Sequence, residues 1–401
     1  MISTLRILPS RHSKALDPPA NLGAVRRNAS EVPSCDEGCD YAAAIDGNQL
    51  PSTGRRWLNT GQPLPRMENT MLTKKLSFAA ALGAAALTLT ACGGSGASGD
   101  GGTALKLALN QTEEHPSFVA LDNFGERVSE ATEDRWNVDV YPNETLGAQA
   151  ETLQLVSDGS VDMAIVSGTQ LESLNEDFVA LNLPTSFDSI EHQMKVIQDE
   201  SIVGDLYTSL EDQDITVLGG FTQGNRNFYS SQGPVETPAD LEGQKIRVQE
   251  SEVHLAMVEA LGGSPTPMAF GEVYTALQSG VLDGAENNEV SYFTQKHYEV
   301  AKDFTLTEHL VGIDYLIVNT DKLAEMSEAD RAAFDEEWTA AMAEHTGLWA
   351  EATEKAIFDA EADGATFHET DTAAFDELLA PLEDEFLTTE GSRALFDALQ
   401  Q

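Results

Sequence analysis

Thr237-Pro-Ala-Asp-Leu-Glu-Gly-Gln-Lys-Ile-Arg-Val248 is the stretch on which the reading of the fold turns. Its last four residues, Lys245 to Val248, alternate polar and apolar, the period of a half-buried strand. Arg247 therefore sits inside a strand, in a chain with 67 Asp+Glu against 23 Lys+Arg. The alternation leaves three positions open for its side chain. It can lie on a solvent face, pair with a neighbouring Asp or Glu, or point into a cleft between two layers. In a cleft, a planar guanidinium is a fixed fork for a carboxylate.

Working outward, strands and helices alternate. Ala104–Leu109, Trp136–Tyr141 and the apolar run Val161–Val166 read as strands, separated by helices over Ser117–Thr132 and Gln149–Ser157. A long helix is expected over Asp188–Leu210, then strands at Ile215–Gly219 and Arg226–Ser230. Beyond Val248, helices over Ser251–Leu261 and Phe270–Ser279 alternate with short strands at Ser264–Thr266 and Asp283–Glu286. Asp314–Asn319 returns to strand, Ser327–Asp363 is one long helix with Ser327 as N-cap, and two shorter helices close the chain. Repeated βαβ units predict an α/β body with a mostly parallel sheet flanked by helices. About 300 residues exceed the comfortable size of one core, so two lobes with a cleft between them are expected. A helix of roughly 35 residues would span about 50 Å and reach both lobes.

The address is written near Met71. A Lys-Lys start, the apolar run Leu76–Leu89 and Leu89-Thr-Ala-Cys92 form a secretory signal over residues 71–91. The apolar run is too short for a comfortable membrane span. The ending looks like a lipobox, which makes Cys92 a lipidated N-terminus, and residues 92–102 read as a Gly/Ser tether. Residues 1–70 read as an extension outside the folded body, with Met71 or Met67 the expected start. Cys35 and Cys39 form one C-x3-C pair, too little for a metal site, and no cysteine follows Cys92. Residues 92–401 hold 13 Lys+Arg and 60 Asp+Glu. Such a surface excludes nucleic acid as a partner and suits a highly solvated, salt-exposed protein. Neither a D-x-D-x-D-G calcium loop nor any other metal site is read, and no cofactor is expected.

The central block resembles the substrate-binding proteins of tripartite ATP-independent periplasmic (TRAP) transporters, the DctP-like dicarboxylate-binding family. The resemblance is carried by Thr237–Val248, Ala260-Leu-Gly-Gly-Ser-Pro-Thr-Pro-Met268, Phe270–Asn287 and Lys296-His-Tyr-Glu-Val300. Tyr141–Gly147 and Gly159–Ala164 add to it, so that most of Leu105 to Phe334 is covered. It implies a two-lobed periplasmic-binding-protein-like fold, with residues 103–225 in lobe I, 226–313 in lobe II and 314–401 returning to lobe I. It also implies capture of a small organic acid, a C4-dicarboxylate or a related carboxylate, for two integral membrane subunits. Arg247 matches the family's carboxylate-binding arginine and Arg226 a second one. Asn287, Phe270 and Asn110 match further ligand-lining positions. Asn287 is followed by Asn288, where the family usually has proline.

Each of these residues also has a plainer reading. Phe270 can be core packing, Asn287 the cap of a helix starting near Val290, Asn110 a turn residue, and His115 structural or ligand-touching. Ser167-Gly-Thr-Gln170 lacks the acidic residue and arginine of sialic-acid-binding members, which argues against that substrate. A compatible solute such as ectoine would suit a salt-adapted surface. The sequence carries no G-x-S-x-G elbow, H-E-x-x-H helix or His/Cys cluster, so an extracellular hydrolase or lyase has no motif behind it. A receptor for an ABC transporter or a sensor kinase is the remaining alternative.

Overall fold

The computed structural model describes residues 102–401. The extension over residues 1–70, the signal, Cys92 and all of the tether but its last residue lie outside the described residues. Nine strands form one mixed sheet: β1 (Thr103–Ala108), β2 (Trp136–Tyr141), β3 (Met163–Ser167), β4 (Ile215–Ser230), β5 (Lys245–Val248), β6 (Ser264–Pro267), β7 (Gly284–Asn287), β8 (Asp303–Asn319) and β9 (Thr366–Glu369). The order is β2-β1-β3-β8-β4-β7-β5-β6, with β9 alongside β8. The βαβ reading predicts the parallel pairs β1–β2, β1–β3, β5–β6 and β5–β7. In β3 every residue of Met-Ala-Ile-Val-Ser is buried, as expected where helices cover both faces.

Two strands were only half legible. β4 and β8, of 16 and 17 residues, pair antiparallel and run from one half of the sheet to the other. Ile215–Gly219 and Arg226–Ser230 are the two ends of β4. The glycines between them, which suggest a break, sit at bulges where the register shifts between Val217 and Gly220 and between Thr222 and Asn225. Gly224 takes φ +66, and a Cβ on it would meet the Trp349 indole nitrogen at 2.6 Å, so both backbone and space require glycine. Asp314–Asn319 is likewise only the end of β8.

The helices are α1 (Pro116–Ala131), α2 (Gln149–Ser157), α3 (Gly168–Leu171), α4 (Ile190–Val196), α5 (Glu200–Thr208), α6 (Glu252–Ala260), α7 (Val273–Gln278), α8 (Glu289–Thr294), α9 (Thr320–Ala324), α10 (Glu328–Ala362), α11 (Ala373–Leu379), α12 (Leu382–Phe386) and α13 (Glu390–Leu399). The helix expected over 188–210 is two, because the Asp199 side chain accepts from Ser201 N (2.9 Å) and starts a new N-terminus. Three helices close the chain where two were expected. The Ser327 cap begins α10, its hydroxyl accepting from Asp330 N at 3.1 Å. Thirty-five residues make α10 about 52 Å long. Its first half packs on α1 through Phe334 and Trp338 against Phe124. Its second half packs on α8, with Trp349 and Ala356 against Val290. Gly347 lies between these anchors, and a Cβ there would meet nothing within 4 Å. Among the described residues no helix is long and apolar enough to cross a membrane.

Candidate functional site

Where the two halves of the sheet meet, a cavity of about 540 Å³, its open mouth included, gathers all six predicted ligand residues of the folded body. Asn110 and His115 come from the loop after β1, and Arg226 from the middle of β4. Arg247 comes from β5, Phe270 from the turn before α7, and Asn287 from the end of β7.

Arg247 is 4 % exposed, because β6 and β7 flank β5 on both sides. Its Nε and Nη2 both donate to the Met268 carbonyl, at 2.9 and 2.8 Å. The two Nη1 protons and one on Nη2 have no protein partner among the described residues. The Phe270 ring lies 5.6 Å from Cζ and covers the guanidinium. Burial pulls its pKa down from the ordinary arginine value, yet the group stays a cation at any physiological pH. A planar Nη1/Nη2 edge thus faces the cavity.

Arg226, 1 % exposed, is the opposite case. Nε and Nη2 hold Glu286 at 2.5 and 2.7 Å, Nη2 also reaches the Glu286 carbonyl at 3.0 Å, and Nη1 donates to Gln223 Oε1 (2.6 Å) and Asn287 Oδ1 (3.1 Å). All five guanidinium N–H groups are therefore engaged within the protein. Burial is the largest single influence on the Glu286 carboxyl and pushes it up, but the Arg226 charge, together with the side-chain contacts of His254, His309 and Arg226, outweighs it and holds the group well below the usual range. His254 and His309 stand 3.7 Å from that carboxylate, and burial, opposed by the Glu286 charge, lowers the pKa of both rings.

Asn287 Oδ1 accepts from Arg226, from Asn288 N (2.9 Å) and from Asn288 Nδ2 (3.1 Å). That fixes the amide orientation and leaves Nδ2 as the end available to a ligand. The cap of α8 is Asn288, accepting from Ser291 N at 2.7 Å, so Asn287 does not cap that helix. His115 combines two roles. Its Nδ1 accepts from Ser117 N (3.2 Å) as the N-cap of α1, and burial lowers its pKa to about 3. The ring is neutral with its proton on Nε2, which faces Ser291 Oγ at 3.5 Å. Asn110 Oδ1 and the neighbouring Gln111 Oε1 are buried without a partner among the described residues.

Several lining groups escaped the sequence reading. Asp314, on β8, accepts from Gln223 Nε2 at 2.6 Å, and burial raises its pKa to about 6. Glu144 and Gln249 tie the two sides together. Glu144 Oε2 accepts from Gly271 N at 3.2 Å, and Gln249 Oε1 from Ser167 Oγ (2.6 Å) and Thr169 Oγ1 (2.7 Å). Trp349 enters from α10 and meets His115 edge-on at 5.7 Å. Glu144 and Glu286 both lie inside motif-bearing stretches, so the signal was present there. Trp349 had none beyond its place in a long Ala- and Glu-rich helix.

Nothing in the cavity resembles a nucleophile–base pair or a metal cluster among the described residues. The arrangement is one cationic edge, neutral amide and imidazole donors, and the acceptor groups of Asn110, Gln111, Glu144 and Asp314, a set that can hold a polar anion. The family model for bacterial extracellular solute-binding proteins, family 7 (DctP), matches residues 107–389. The C4-dicarboxylate-binding periplasmic protein DctP of Rhodobacter capsulatus is 34 % identical over 321 residues, covering 74 % of this chain and 94 % of that protein. A TRAP periplasmic solute-binding protein of Anaerococcus prevotii, solved with α/β-D-glucuronate, is 36 % identical with a TM-score of 0.72, covering 74 % of this chain and 97 % of its own. Its counterpart from Xanthobacter autotrophicus, solved with β-D-galacturonate, is 26 % identical with a TM-score of 0.71, covering 74 % and 99 %. The chain belongs to the DctP family of extracellular solute-binding proteins, the substrate-binding components of TRAP transporters.

Proposed function

We propose that this receptor captures a monoanionic sugar acid of the uronate class, pairing its carboxylate with the Nη1/Nη2 edge of Arg247. It then delivers the ligand to two TRAP membrane subunits. Arg247 carries the reading, as the cavity-lining guanidinium whose outer edge has no protein partner among the described residues. Each charge-assisted hydrogen bond in such a site contributes roughly 1.5–3 kcal/mol. Asn287 Nδ2 and His115 Nε2–H are further donors. Asn110 Oδ1 and Gln111 Oε1 are acceptors that ask for ligand hydroxyls. A C4-dicarboxylate would want a second free cation, and the other arginine of the cavity is neutralised by Glu286.

The lobes are taken to divide at β4 near Arg226 and at β8 near Ile313, giving 103–225 and 314–401 on one side and 226–313 on the other. The bulge between Thr222 and Asn225 supports the first boundary. Cys92, lipidated after removal of residues 71–91, would hold the receptor at the outer face of the cytoplasmic membrane. One preparation tests the whole reading. Full-length chain recovered from membranes should show a lipid-modified N-terminus by mass spectrometry. By calorimetry it should bind D-glucuronate or D-galacturonate at least tenfold more tightly than succinate. No binding to any carboxylate would sink the receptor assignment, and an unmodified N-terminus would sink the anchor.

A further inference from the structure

Pro142-Asn-Glu-Thr145 contains two successive non-glycine residues in the left-handed region, Asn143 at φ 58 and Glu144 at φ 53. Such a pair is unfavourable and persists only where the surroundings impose it. Here Asn143 N donates to Gln111 O (3.0 Å), Glu144 N to Leu109 O (3.1 Å), and Asn143 Nδ2 to Glu113 Oε2 (3.0 Å). The turn is thereby strapped to the loop after β1, and the Glu144 carboxylate is turned into the cavity that holds Arg247. Its Oε2 accepts from Gly271 N across the cleft. A Cβ on Gly271 would come within 2.4 Å of that oxygen, so the approach depends on glycine. Its Oε1 is buried and has no partner among the described residues.

A carboxylate in an anion site needs an explanation, because it repels the ligand it is meant to share the cavity with. An ionised carboxylate only accepts hydrogen bonds. A ligand hydroxyl placed at Oε1 satisfies it, whereas a second ligand carboxylate meets a like charge in a partly desolvated cleft. We infer that Glu144 is the specificity-determining residue of the cavity, accepting a hydrogen bond from a ligand hydroxyl and rejecting acids that carry a second carboxylate. Arg247 then reads the one anionic end and Glu144 the hydroxylated body. The Arg247 charge also acts on Glu144 and favours its ionised form, although burial is the larger influence and raises its pKa.

The inference rests on the carboxylate-receptor reading above, and calorimetry on full-length chain separates the two. D-glucuronate, D-glucarate (the same carbon chain with a second carboxylate) and succinate are titrated into the wild type, Glu144→Gln and Glu144→Asp, with melting temperatures recorded for each. In Glu144→Gln the ratio of D-glucuronate to D-glucarate affinity should fall at least tenfold, chiefly because D-glucarate and succinate gain. Glu144→Asp keeps the charge and withdraws the oxygen by one methylene. It should weaken D-glucuronate about tenfold and still exclude both dicarboxylates. If either variant weakens all three ligands by one factor, Glu144 only clasps the lobes and the specificity role is overturned. Unchanged affinities in Glu144→Gln overturn it as well, while leaving the receptor reading intact. A wild type that binds none of the three overturns both.

Discussion

The two walls of the cavity handle a buried arginine in opposite ways. On the β4–β7 wall, Arg226 is saturated by Glu286, Gln223 and Asn287, and its guanidinium is complete without a ligand. On the β5–β6 wall, Arg247 is anchored at one edge by a carbonyl and bare at the other. The same residue type, equally buried, is architecture in one place and a receptor group in the other. What separates them is the count of protein acceptors within reach, not burial, charge or motif.

The largest effect should come from breaking the closed wall. Arg226→Met leaves Glu286 buried without its partner and should cost about 3–5 kcal/mol of stability in urea unfolding. Adding Glu286→Leu to the same chain should recover most of that loss, since a matched apolar pair needs no compensation. A single variant that loses under 1 kcal/mol would erase the distinction between the walls. The open wall makes the complementary prediction. Arg247→Ala should weaken carboxylate binding about 100-fold or more at much smaller cost in stability, read by calorimetry and unfolding together. Arg247→Lys should not restore it, because a point charge cannot reproduce a planar two-donor edge.

The smallest effect sharpens the closed wall further. Glu289, the first residue of α8, is buried beside Asn227 Nδ2 (3.0 Å), and burial raises its pKa to about 7. A carboxyl whose folded pKa lies above its unfolded one favours the protonated form. Its contribution is therefore complete below pH about 4.5 and is lost as the pH rises through 7. Glu289→Gln should match the wild type at pH 4.5 and exceed it by about 1–3 kcal/mol at pH 8 in denaturant midpoints. A constant difference across that range would mean that the group does not titrate there.

Arg247 was legible from its strand and its motif, since its place depends on the four residues Lys245–Val248 and the strand they form. The parallel pairs β1–β2, β1–β3, β5–β6 and β5–β7 were legible for the same reason, because each element announces its own period. By contrast β9, which pairs parallel with β8, falls where only helices were expected. Arg226 was legible as a cavity residue but not as a saturated one. That depends on the register which pairs Phe228 with Glu286, a fact of the folded sheet. Glu144 stood in a motif-bearing stretch, yet its direction is set by two left-handed residues that no apolar pattern reveals. β4 and β8 were misread as fragments because glycines that serve bulges look, in one dimension, like glycines that serve turns.

Gly347 gives α10 a mechanical meaning. The helix is fastened to α1 through His345, which meets Ser117 Oγ at 3.2 Å, and through Glu344, paired with Arg127 at 2.7 Å. From Trp349 onward it is fastened to α8. A change of angle between the lobes that bends this helix would fall on the short interval between these rivets. The residue in that interval has no side chain to stiffen it and no neighbour that forbids one. A mid-helix glycine favours the helix less than alanine by about 1 kcal/mol, so the helical conformation is held least firmly there. The helix then acts as a leaf spring with one filed notch. Its restoring force sets part of the cost of closing on a ligand, and so part of the readiness to let it go.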